Sequence, residues 1–237
     1  MASCETIISK DIAFECDQLV NRGFETDGVI INRSDVDFSA TVFDETNKNI
    51  IKTLVLKTGK KGYQVQQYGN TPFTGTNSAL VVGTYVNTWT HQVVLAVLSN
   101  TPDVAANIID GLANGTFVVI LRNRTKGVDG KAEYQVYGYA QGLKASAGEN
   151  DRYSEDYEGG WLITLEETAA PKSAMFLFDT DAETTQAKYE SLFEASGGGG
   201  SQGGGTGGGG GSQGGGSQGG GSQGGGGTGG DGPSGEE

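Results

Sequence analysis

The run TWTHQVVLAVL, Thr88–Leu98, followed by TPDVAANIIDGLANG, Thr101–Gly115, and TFVVILRNR, Thr116–Arg124, decides the fold class of this 237-residue chain. In the first segment, period-two alternation puts Trp89, His91, Val93, Leu95 and Val97 on one face and Val94, Ala96 and Leu98 on the other. Both faces are apolar toward Leu98, so this strand is central in its sheet or ends at a subunit contact. The middle segment carries helix signals. Thr101 can cap, Pro102 suits the first helical position, Asp103 favours the positive end, and Gly115 offers a stop. Val104, Ala105, Ile108, Ile109 and Leu112 form one stripe, which predicts a helix packed on the sheet. The third segment returns to a β-branched strand.

Working outward, the same strand signature recurs upstream in DGVIIN, VDFSATVF, NIIKTLVLK, GYQVQQY and ALVVGTYV, divided by Gly, Asn, Pro and Lys clusters. Downstream, the turn KGVDGK leads into AEYQVYGYAQGL, and Asp129–Gly130 supplies the left-handed conformations a tight hairpin requires. GGWLITLEE and AMFLFDT read as the last strands, and DAETTQAKYESLFEA as a terminal helix with Tyr189, Leu192 and Phe193 available for docking. The expected fold is mainly β and largely antiparallel: a β-sandwich or barrel-forming protomer with one packed α-helix and a C-terminal helix. It occupies residues 1–195 as one β-rich domain. Residues 196–237 contain 26 glycines among 42 residues, with no Val, Leu, Ile, Met or aromatic side chain. Such a segment cannot offset its ordering entropy by burial, so a flexible, disordered tail is expected there.

The net charge is −13, of which Asp231, Glu236 and Glu237 carry three, leaving −10 on residues 1–195. An acidic body argues against duplex-DNA readout, which needs clustered Lys and Arg. The N-terminus lacks a basic flank followed by an apolar core, and no window approaches eighteen apolar residues, so neither export nor membrane insertion is expected. Cys4 and Cys16 are then expected as reduced thiols.

Catalytic chemistry has little to work with. The single His91 lies in mid-strand and reads as structural, and two Cys with one His cannot supply a four-ligand zinc site. LKTGKKGYQV lacks the spacing of a phosphate-binding loop and reads as a basic hairpin turn. The expectation is a non-enzymatic protein with no cofactor and no metal. The densest polar cluster is GENDRYSEDYEGGW, where Glu155, Asp156 and Glu158 either form a solvated loop, meet Lys60 and Lys61 of a neighbouring copy, or hold a cation. QYGNTPFTGTNSA, with Pro72 and Phe73 between turn residues, is the second candidate contact loop.

FDETNKNIIKTLVLKTGKKGYQVQQYGNTPFTGTN, TPDVAANIIDGLANGTFVVIL and YQVYGYAQGLKASAGENDRYSEDYEGGWLITLEE together resemble virion structural proteins of tailed bacteriophages of Bacteroidetes-type hosts. The resemblance spans Met1 to Glu194 and is most like a tail tube protein. It implies homo-oligomeric, stacked rings in which strands of neighbouring protomers close a barrel, other virion proteins as partners, and DNA as a passenger repelled by an acidic lumen. It also implies location in the virion, with assembly in the host bacterial cytoplasm. Capsid decoration, tail terminator and head-to-tail connector proteins are the alternatives within that class. A glycan-binding adhesin using Trp89 and Trp161 is the alternative outside it.

Overall fold

The computed structural model describes residue 8, residues 10–12 and residues 20–194. The expectations for the thiols of Cys4 and Cys16 and for the tail at 196–237 lie outside these residues. Among the described residues the strands are β1 (Phe24–Asn32), β2 (Val42–Phe43), β3 (Ile50–Thr53), β4 (Tyr63–Gln66), β5 (Asn77–Val81), β6 (Thr88–Val97), β7 (Phe117–Asn123), β8 (Tyr134–Tyr137), β9 (Lys144–Glu149), β10 (Trp161–Ala170) and β11 (Met175–Leu177). They form a seven-stranded sheet in the order β2-β3-β11-β8-β7-β1-β4 and a four-stranded sheet in the order β5-β6-β10-β9. Pairing is antiparallel throughout except between β3 and β11.

Strand alternation explains the layering. Along β7, Phe117, Val119 and Leu121 face one way and join Ile30, Val93, Leu95, Ile163 and Leu165 between the two sheets. Val118 and Ile120 face the other way and join Val29, Ile31, Tyr134, Val136, Tyr189 and Leu192. The molecule is therefore mainly β, a sandwich whose larger sheet is covered on its outer face by the terminal helix α3 (Ala182–Ser191). Because the larger sheet is buried on both faces, β1 and β7 carry unbroken apolar runs instead of alternating ones. Asp181 caps α3 by accepting from the Thr184 N–H at 2.7 Å, and Tyr189 and Leu192 dock as expected, with Phe193 half-buried beside them.

The packed helix is present but not uniform. It begins as α1 (Pro102–Val104), passes through a π-helical turn at Ala105–Ile109, and ends as α2 (Asp110–Asn114). Thr101 caps it, its hydroxyl accepting from the Val104 N–H at 3.3 Å, a contact of about 1 kcal/mol. The wider π turn breaks the predicted stripe: Ile109 and Leu112 are buried and Val104 packs beside them, whereas Ile108 is turned to solvent. Gly115 ends the helix for a steric reason. Its backbone is extended, with φ −85 and ψ 175, and a Cβ there would lie 2.1 Å from the Phe117 ring.

Three further expectations change. LKTGKKGYQV does not turn a hairpin, because β3 pairs with β2 and β11 whereas β4 pairs with β1 at the other end of the sheet. VDFSATVF is not one strand, because the Asp37 carboxylate accepts from the Ser39 and Ala40 N–H groups at 3.0 and 3.1 Å and folds the chain into a turn. Only Val42 and Phe43 remain as strand. Conversely, β9 was not legible: KASAGE has low β propensity, and all six residues are exposed on a sheet edge. The β7–β8 hairpin is built as the sequence predicts, with φ of 59° at Asp129 and 80° at Gly130.

Candidate functional site

Most buried polar groups are engaged within the protomer; among the described residues Arg33 Nε, Gln67 Nε2 and Trp161 Nε1 are buried without a hydrogen-bond partner. His91 is held at both nitrogens, Nε2 donating to the Lys172 carbonyl at 2.9 Å and Nδ1 accepting from the Ser78 hydroxyl at 2.7 Å. Its ring meets Tyr137 edge-on at 6.0 Å. Across the β6–β10 pairing His91 faces Glu167, which is 2% exposed and accepts from the N–H groups of Gly138 at 3.0 Å and Gln141 at 2.6 Å. Glu133, also buried, pairs with Arg122 at 2.7 Å and Lys126 at 3.1 Å. Each of these groups locks a turn or a strand pair. Trp161 packs against the inter-sheet core, and Trp89 is half-buried.

The candidate contact residues are distributed differently. Pro72 is buried, and Phe73 is 1% exposed, lies in the inter-sheet core and meets Phe24 edge-on at 6.2 Å. That loop turns inward, with the Phe73 N–H donating to Gln67 Oε1 at 2.9 Å, so the Phe73 side chain is not offered to a neighbour. Lys60 pairs with Asp35 of its own chain at 3.4 Å. Lys61 is exposed and lines a groove described below.

Glu155, Asp156 and Glu158 are exposed, and among the described residues no group of three or more His, Cys, Asp or Glu side chains is placed to hold a metal ion. Their loop closes over the buried Tyr157, whose hydroxyl donates to Glu149 Oε1 at 3.3 Å and accepts from the Asp151 N–H at 3.3 Å. Glu158 takes a left-handed φ of 53°.

The larger candidate surface is the β5–β6 hairpin. Asn77–Thr90 contains no charged residue. All of β5 is exposed, as are Val82, Tyr85 and Val86, with Tyr85 at 97%. β5 pairs with β6 only from Thr88 to Gln92. Beyond Gln92 no strand among the described residues covers that edge of β6, although the Val94 N–H donates to Thr76 Oγ1 at 3.2 Å. β4 ends the larger sheet. Between β4, the C-terminal half of β6 and the helix lies a groove of about 770 Å³ containing Tyr63, Leu98, Ile108 and Lys61. An uncharged hairpin and open strand edges can pair with another chain.

A smaller pocket of about 410 Å³ lies among Phe43, Tyr139, Pro171 and Met175, with Lys48 and Lys172 at its rim. The Lys172 ammonium donates to the Lys48 carbonyl. Burial and then the Lys48 charge hold the Lys172 pKa below its ordinary value. Sequence reasoning missed this pocket because its walls come from segments far apart in the chain. The lack of charge along the hairpin run, by contrast, is a signal present in the sequence, although the contact candidates read there were other loops. No protein-family model, no curated protein and no solved structure matches the chain.

Proposed function

We propose that this chain is a non-enzymatic phage virion structural protein, acting as a tail tube protomer that forms stacked rings around a DNA-conducting lumen. The observation that carries the assembly part is the uncharged β5–β6 hairpin, whose apolar residues and strand edge are exposed together. Residues placed so are costly in a protomer that stays alone and stabilising in one whose sheet continues into a neighbour's. The virion part rests on the resemblance of Phe43–Asn77, Thr101–Leu121 and Tyr134–Glu167 to tailed-phage structural proteins. In this role the protein holds and spaces copies of itself and conducts DNA without reading it, as its negative charge favours.

Negative-stain imaging of the purified full chain tests the reading. Rings that stack into tubes are expected. Single rings that never stack would move the assignment to a terminator or connector, and particles that remain monomeric at high concentration would overturn it.

A further inference from the structure

We infer that copies of this chain join head to tail, the Tyr153 ring of one copy entering the apolar pocket between Phe43, Tyr139, Pro171 and Met175 of the next. The inference rests on the self-assembly reading and deepens it by naming a contact. Tyr153 is 94% exposed and stands between Asp151 and the exposed carboxylates of Glu155 and Asp156. Its loop is shaped from within: the Tyr153 N–H donates to Asp151 Oδ1 at 3.0 Å, and the Gly159 N–H donates to the Ser154 carbonyl at 3.0 Å. The pocket is the complement in both shape and charge. Its volume of about 410 Å³ accommodates a phenol ring, its walls are apolar, and its rim carries Lys48 and Lys172. Lys52, Lys60, Lys126, Lys131 and Lys188 pair with carboxylates of their own chain, but among the described residues no carboxylate lies within ion-pair distance of Lys48 or Lys172. Two cations over an apolar hole in an acidic protein fit an acidic loop with an aromatic centre.

The position of these two features excludes their meeting within one protomer. The loop leads directly into β10, which begins at Trp161, and Pro171 and Lys172 follow directly after β10 ends at Ala170. A strand rises about 3.3 Å per residue, so ten residues separate knob and hole by roughly 33 Å. Met head to tail, a knob and a hole at opposite ends of one strand make a heterologous contact that repeats from copy to copy into a ring or a stack, whereas a reciprocal two-fold pairing would stop at a dimer in sedimentation.

The test uses the full chain with Tyr153→Ala, with the pair Lys48→Glu and Lys172→Glu, with the pair Glu155→Lys and Asp156→Lys, and with both pairs combined. Tyr153, Lys48, Glu155 and Asp156 are exposed and Lys172 is half-buried, and circular dichroism of each variant checks that folding is retained. Sedimentation velocity should show that Tyr153→Ala and each charge pair raise the concentration needed for assembly at least tenfold, and that the combined charge swap restores it. Amine labelling of Lys48 and Lys172 should fall in the assembled wild type and return in Tyr153→Ala. Wild-type assembly alongside unchanged assembly of Tyr153→Ala would overturn this contact while leaving the proposed function standing. A wild-type chain that stays monomeric would overturn both.

Discussion

Phe73 holds a left-handed φ of 57° while only 1% of its surface is exposed. The backbone there suits glycine, yet the ring fills the core between the two sheets, so burial outweighs a strain of about 1–2 kcal/mol. Phe73→Ala should therefore destabilise by about 3–5 kcal/mol in urea unfolding. Phe73→Gly should be no worse, the reverse of the usual order, because it relieves the backbone while losing the same ring. A Gly variant clearly less stable than the Ala variant would show that the strain is absent. Four tyrosines supply a second residue-scale prediction. Burial raises the pKa of Tyr134, Tyr137, Tyr139 and Tyr189, with the Glu133 charge adding to the effect at Tyr134 and Asp27 adding to it at Tyr189. For Tyr134 the rise is from 10.0 to about 12. A folded-state pKa above the unfolded one means that the folded state holds its proton longer. The associated stability is complete below pH 10 and is lost as pH climbs toward 12. Tyrosinate absorbance from these four rings should then rise together with alkaline unfolding.

The β5 strand and the turn after it, residues 77–87, are exposed throughout and serve no core of their own. Replacing Val82 and Val86 with Lys should leave unfolding within about 0.5 kcal/mol of wild type, since both side chains are exposed, but should abolish self-association. Loss of thermal stability together with assembly would instead make the hairpin part of the protomer's fold. At this scale the legibility of the sequence divides by cause. Elements governed by periodicity were readable: β1, β6, β7, β10 and α3 appear where alternation, apolar runs and caps place them. Features governed by competition were not. At Asp37 a side-chain turn displaced a strand, and at Ala105–Ile109 a π turn took Ile108 out of a stripe that spacing alone assigns to it. Phe73 looked like a loop tip because turn residues flank it, whereas its burial depends on Phe24 and the facing sheet, partners distant in sequence. The pocket beside Lys48 and Lys172 was hidden for the same reason, being assembled from three stretches, residues 43–48, 139–140 and 171–175.

Over the whole molecule, two electrostatic effects of opposite sign act on assembly. Residues 1–195 carry −10, so bodies repel one another at long range, while the proposed contacts between the acidic loop and the two lysines attract only at contact. The Debye length separates these effects, being about 30 Å at 0.01 M salt and about 8 Å at 0.15 M. In dilute buffer every charge on a neighbouring body is felt, and the net repulsion dominates. At physiological ionic strength that repulsion is screened, whereas pairs in direct contact over an apolar pocket are weakened far less. Self-association should therefore strengthen as salt rises from 0.01 to 0.15 M, the reverse of what a contact held by surface ion pairs alone would show. Sedimentation velocity at fixed protein concentration measures this directly. Weaker association at 0.15 M than at 0.01 M would mean that ion pairing, and not apolar docking of the hairpin and Tyr153, carries the interface.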